Sequence, residues 1–233
     1  MNEVVQKPKE APKTVVKQAP KQVVNEPVVR PPVKNQNTKR ITVCTGIIEN
    51  KPYMLRYISS FKSQNKDRVL HMYDFSLNNK HTVYYTDMNI DEVIRTGREQ
   101  DINLLFTLDN IRSARSYNTS YIGTVVNGQV VFESGIENYY YDSKVVPREN
   151  GNLVVIDNGT VILKNKRLYS YYLLSLANNK VINIVTETDI FSNINSDEEL
   201  AEFLSDRNIV NSIHRHGYIG NLLPDGTITY GGE

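Results

Sequence analysis

From residue 40 onward the chain is a series of short β-branched and aromatic runs. They are separated by Asn-Asn, Asn-Gly and Pro-containing signals, a punctuation that constrains the body to a largely antiparallel β fold. Residues 41–48, 53–61, 68–75 and 81–85 read as four strands of a meander, turned at residues 49–52, 62–67 and Asn78-Asn79. Two Asn-Gly pairs, Asn127-Gly128 between strands at 121–126 and 129–133 and Asn158-Gly159 between strands at 153–156 and 160–163, predict type I′ hairpins, because Asn and Gly accept the positive φ those turns require. Residues 168–176 and 181–185, joined through Asn178-Asn179, add two more strands. A last hairpin turns at Pro224-Asp225-Gly226.

Helical signals are fewer. Asn89 is placed to cap a short helix carrying Ile90, Val93 and Ile94 and ending at Gly97. Residues 101–108 fit either a buried strand or a helix, since periodicity does not separate short apolar runs. Ser196 followed by Glu199 is a capping box, opening a helix over about 196–206 with Leu200, Phe203 and Leu204 inward. A second helix follows over about 208–214, its apolar face set by Ile209, Val210 and Ile213. The expected fold is α+β and β-rich, an antiparallel sheet or sandwich with a few helices near the C-terminus.

Residues 1–39 are unlike this body (40–233). Six of the nine prolines lie in the first 40 residues, with no glycine and no aromatic. Lys9-Glu10-Ala11-Pro12-Lys13-Thr14-Val15-Val16 is followed at once by the related octad Lys17-Gln18-Ala19-Pro20-Lys21-Gln22-Val23-Val24. The valine pair also occurs at Val4-Val5 and Val28-Val29. Regular prolines block helix and favour an extended or disordered arm. The first 40 residues hold nine Lys and Arg against three Glu, a net of +6, whereas the remainder is −5. A cationic arm on an acidic body implies an anionic target: nucleic acid, a membrane surface or an acidic protein patch. A plain tether would not need valine pairs, so Val15, Val16, Lys17, Lys21, Val23, Val24, Val28, Val29 and Arg30 are the expected partner-binding residues, suited to strand addition or a shallow apolar groove.

The body offers little catalytic chemistry. Phosphate-binding glycine loops, nucleophile-elbow motifs and cysteine pairs for zinc are absent from the sequence, and Cys44 is the single cysteine, so no internal disulfide forms. His214-Arg215-His216, with Asn221, shares three positions with a protein-kinase catalytic loop, but His216 stands where the catalytic Asp would be. On an extended segment His214 and His216 would point both rings to one side, as a metal pair does, but the only other histidines, His71 and His81, are not shown by the sequence to converge on them. The competing reading is a polar pair closing a helix C-terminus. The acidic run Glu187, Asp189, Asp197, Glu198, Glu199, Glu202, Asp206 contains no Lys or Arg and is the in-chain counter-charge to the arm. Lys164, Lys166 and Arg167 beside Tyr169, Tyr171 and Tyr172 combine cations with aromatic faces as single-strand nucleic-acid grooves do, and Tyr139-Tyr140-Tyr141 could add stacking platforms.

No apolar run approaches the ~20 residues a membrane helix needs, and no signal-peptide core is present, which points to the cytoplasm or an assembly formed there, such as a virion. The resulting expectation is a non-enzymatic, cofactor-free structural protein whose arm binds neighbouring subunits. The alternative is a nucleic-acid-binding protein using the arm and the Lys/Arg/Tyr cluster.

Overall fold

The computed structural model describes residues 39–40, 43–163, 165–225 and 227–229. In chain order the elements are β1 (Lys39–Arg40), β2 (Val43–Ile48), β3 (Lys51–Lys62), β4 (Val69–Leu77), β5 (Lys80–Thr86), α1 (Ile90–Arg95), α2 (Glu99–Leu105), α3 (Leu108–Ser116), β6 (Thr124–Val126) and β7 (Gln129–Val131). There follow β8 (Ser143–Val146), β9 (Leu153–Leu163), β10 (Lys166–Ser175), β11 (Lys180–Thr186), α4 (Ile190–Asn193), α5 (Asp197–Phe203), α6 (Asp206–His214), β12 (Tyr218–Leu222) and β13 (Ile228–Thr229). The fold is β-rich with antiparallel sheets, as the punctuation predicts.

Two sheets dominate: β2-β3-β4-β5, and β8-β9-β10-β11 extended by β12 and β13. Side chains alternate across each strand, so every central strand contributes to two cores. Tyr73 and Phe75 of β4 join Tyr53, Leu55 and Tyr84 beneath α1–α3. Leu70 and Met72 of the same strand meet Val154, Ile156, Tyr172 and Leu174 of the other sheet. Val155, Tyr171, Leu173 and Ile184 then pack under α4–α6 with Leu200, Phe203 and Leu204. The layers therefore run helices, sheet, sheet, helices. Burial on both faces explains why β9 and β10 carry unbroken apolar runs such as Leu153-Val154-Val155-Ile156 rather than alternation.

The two halves repeat one plan: a four-stranded meander, three helices, then a segment returning parallel to the last meander strand. The parallel contacts are Tyr85↔Tyr121 in the first half and Val185↔Tyr218 in the second. Hydrogen bonds recur at matching positions. Tyr73 Oη accepts the Ile90 N–H (3.0 Å), and Tyr171 Oη accepts the Ile190 N–H (2.9 Å). Thr86 Oγ1 donates to the Gly123 carbonyl, and Thr186 Oγ1 to that of Gly220. Asn110 Nδ2 donates to the Leu104 and Leu105 carbonyls closing α2, and Asn208 Nδ2 to those of Glu202 and Phe203 closing α5. The sequence carries the same marks: Asn-Asn-Lys at 78–80 and 178–180, Asn-Ile at 110–111 and 208–209, and Tyr-Ile-Gly at 121–123 and 218–220. Tyr73→Phe and Tyr171→Phe should each cost about 1–3 kcal/mol in urea unfolding, because a buried helix-starting amide loses its acceptor. The two losses should add, since the sites lie in different cores.

Three sequence expectations are revised and one open reading is resolved. Asn158-Gly159 does not turn a hairpin. It lies inside β9 as a bulge opposite Ser170, with Gly159 at φ 77° and its N–H bound to Asp157 Oδ1 (2.7 Å). A bulge needs the same positive φ as a turn, so the dipeptide alone does not distinguish them. The chain instead reverses between Leu163 and Lys166, with Asn165 at φ 62°. Residues 101–108, left open between strand and helix, end α2 at Leu105 and begin α3 at Leu108, with Phe106 and Thr107 as the caps between them, so the first half has helices of its own. The expected strand at 121–126 is mostly loop: Tyr121 makes one bridge, and β6 begins only at Thr124, past Gly123 at φ 91°. On α6 the buried residue is Ser212, while Val210 and Ile213 are 52% and 55% exposed. Of the three apolar residues assigned to its inner face, Ile209 packs against the α4–α6 core, whereas Val210 and Ile213 are on the outer face.

Candidate functional site

The arm residues expected to bind a partner, Val15, Val16, Lys17, Lys21, Val23, Val24, Val28, Val29 and Arg30, lie outside the described residues. The body receives the arm at β1, which pairs antiparallel with β11 through Lys39↔Val181 and Arg40↔Lys180. Further along β11 Gly217, three residues beyond α6, packs so closely that an added Cβ would lie 2.8 Å from the Asn183 carbonyl oxygen.

The acidic run is largely engaged. Glu187 binds Lys166 (3.1 Å) and accepts from Tyr218 Oη (3.1 Å). Asp189 caps α4 through the Phe191 and Ser192 amides (both 3.2 Å). Asp197 pairs with Lys144 at 2.8 Å and Asp206 with Arg148. Hydrogen bonds from Asn150 and Arg148 hold the Asp206 carboxyl below the usual carboxylate range. Glu198, Glu199 and Glu202 remain exposed on α5, Glu199 also accepting the Asn195 N–H (3.3 Å). The run is therefore mostly paired or capping carboxylates with three exposed ones on α5, rather than a paired acid–base site.

The Lys/Arg/Tyr cluster is dispersed by the fold. Lys164 lies outside the described residues, Lys166 is held by Glu187, and Arg167 is exposed. Tyr169 is half-buried against the α4–α6 core. Tyr171 and Tyr172 are buried, and Tyr172 Oη donates to Ser59 across the sheet interface (3.1 Å). Of Tyr139, Tyr140 and Tyr141, only Tyr140 is well exposed. The others join an aromatic cluster with Phe61 and Tyr85.

His214 ends α6 and His216 has φ 55°, so the two do not share an extended segment. Among the described residues no three His, Cys, Asp or Glu side chains form a group able to hold a metal ion. Cys44 is half-buried on β2, and burial followed by the charges of Glu99 and Asp91 pushes its thiol pKa up, opposing thiolate formation.

Two buried carboxylates were not singled out by sequence reasoning. Asp74, fully buried, binds Arg56 Nη1 (3.1 Å) and His81 Nδ1 (2.9 Å), while Arg56 Nε donates to Asn179 Oδ1 of the other sheet (3.0 Å). Both carboxylate oxygens are occupied, and the cluster pins the sheets together. Glu137 accepts Ser63 Oγ (2.8 Å), the Asn65 N–H (2.8 Å) and the Gln64 N–H, fixing the β3–β4 loop. Burial raises its pKa, but the backbone and Ser63 hydrogen bonds outweigh that and leave it lowered. A lowered folded-state pKa contributes stability above the ordinary carboxyl range that is lost as pH falls through the folded value. Glu137→Gln should therefore flatten the acid side of the stability–pH curve below about pH 4 and cost about 2 kcal/mol at neutral pH, read by urea titrations across pH.

Among the described residues no helix is long and apolar enough to cross a membrane. No protein-family model, curated protein or solved structure matches the chain.

Proposed function

We propose that this is a non-enzymatic assembly protein whose N-terminal arm, residues 1–39, binds neighbouring subunits through its lysines and valine pairs. The observation that supports this most is β1. The body-proximal end of the arm already associates by strand addition to β11, the mode of binding the valine pairs upstream are suited to. A large particle assembled in the cytoplasm, such as a virion, is the setting that suits a folded module with an adhesive arm. Removing residues 1–38, which spares β1, tests the proposal. The truncated chain should stay folded and monomeric at concentrations where the full chain associates; unchanged association would refute it.

A further inference from the structure

We infer that the free edge of β2 is a contact between two copies of this chain, each β2 pairing antiparallel with the other about a twofold axis at Thr45. Among the described residues β2 is the longest strand with a neighbour on one side only, β3. Its sequence, Val43-Cys44-Thr45-Gly46-Ile47-Ile48, contains no charge and no proline. Free edges are ordinarily guarded by lysine, proline, shortness or a covering element, because their unpaired N–H and C=O groups template another strand.

The internal repeat shows a guarded edge in the same fold. The counterpart of β2 is β8, the first strand of the second meander. It has four residues, carries Lys144 paired with Asp197 (2.8 Å), runs into Pro147 and lies against α5. At the opposite edge of the first sheet, β5 opens with Lys80 and is bridged at Tyr85 by Tyr121. None of these devices is present on β2. It exposes Val43 and, at 70%, Ile47, with Thr45 exposed between them on the same face.

Charge and register assign the occupant. Two bodies that each carry −5 meet through this strand without like charges opposed. Directly opposed residues of an antiparallel pair share a face, so a twofold axis falls on a residue. With the axis at Thr45, that residue opposes the partner's Thr45, and Val43 opposes the partner's Ile47. All three exposed side chains are then covered by Thr–Thr and β-branched pairs, the kinds that suit a sheet. On the helix-facing side Cys44 opposes the partner's Gly46, a small pair that leaves room beside α2. Gly46 stays small because an added Cβ would lie 2.3 Å from the Tyr53 ring. An edge pair of this length falls short of the ~1,000 Å² of a stable interface. It is therefore a second contact, made where the arm has already concentrated the chains, and it uses residues the arm reading does not.

Single-thiol cross-linking of the full-length chain tests it. Cys44→Ala removes the one cysteine, and Thr45→Cys or Ile47→Cys adds a thiol at an exposed position of β2. Under copper–phenanthroline oxidation the Thr45→Cys chain should form disulfide dimers at least about tenfold faster than the Ile47→Cys chain. Opposed Cβ atoms lie about 5 Å apart, close to disulfide spacing, whereas two thiols at position 47 are four residues apart along the strands, roughly 13 Å. Association through the arm raises both rates alike. Adding Ile47→Lys to the Thr45→Cys chain should slow its dimerisation about tenfold by placing a guard on the edge. Equal rates for the two thiols overturn the proposal. So does a Thr45→Cys chain that neither dimerises nor reacts with maleimide, which would show another segment, such as the arm, seated on β2. In either case loss of association on removing residues 1–38 would still uphold the arm reading.

Discussion

Arg56→Met is expected to destabilise the folded chain by about 3 kcal/mol or more, the largest effect of any single substitution considered. Asp74 has no exposed surface, and among the described residues its carboxylate is paired with Arg56 and hydrogen-bonded to His81. Methionine keeps the length of the arginine stem but leaves the carboxylate with one partner, and breaking a buried pair from one side costs about 3–5 kcal/mol. The same change removes the hydrogen bond to Asn179 in the opposite sheet. The double variant R56M/D74L should recover most of the loss, because replacing both charges removes the stranded carboxylate. Urea unfolding followed by far-UV circular dichroism measures both. A single variant within about 1 kcal/mol of wild type would show that water or His81 carries the charge unaided.

Removing residues 1–38 is expected to have the largest effect on behaviour and little on stability. The hydrophobic cores are built from residues of the body, so the truncated chain should unfold at the same urea midpoint. Its association should vanish, because the truncation removes all four valine pairs and most of the basic excess. Association of the intact chain should weaken as salt rises, since screening shortens from about 10 Å at 0.1 M to about 3 Å at 1 M. It should not vanish, because the valine contacts are indifferent to salt. Complete loss at high salt would instead mark a purely electrostatic partner such as nucleic acid.

Much of the body is legible in the sequence because tight turns advertise themselves. Asn78-Asn79, Asn127-Gly128 and Asn178-Asn179 all fall where the chain reverses. Asn158-Gly159 misleads because a bulge draws on the same conformational freedom. The helices around 101–108 are ambiguous because Leu104-Leu105-Phe106 carries no period of its own. The tandem repeat was present in the Asn-Asn-Lys and Tyr-Ile-Gly copies, but the spacing drifts from 100 to 97 residues, and its meaning emerges from shared hydrogen bonds. The site is less legible. That Lys166 is held by a glutamate 21 residues away, or that Ser212 is the buried side of α6 and Val210 the exposed one, depends on strand register and on how a short helix sits. Neither follows from local pattern.

The most direct test of the central claim, that the arm binds a neighbouring copy, is carbodiimide cross-linking of an equimolar mixture of ¹⁴N- and ¹⁵N-labelled full-length chains, read by mass spectrometry. The account predicts mixed-isotope cross-links between arm lysines such as Lys17 and Lys21 and carboxylates of the body, foremost Glu198, Glu199 and Glu202. Arm-to-body cross-links confined to chains of one isotope, at concentrations where the protein is associated, would contradict it.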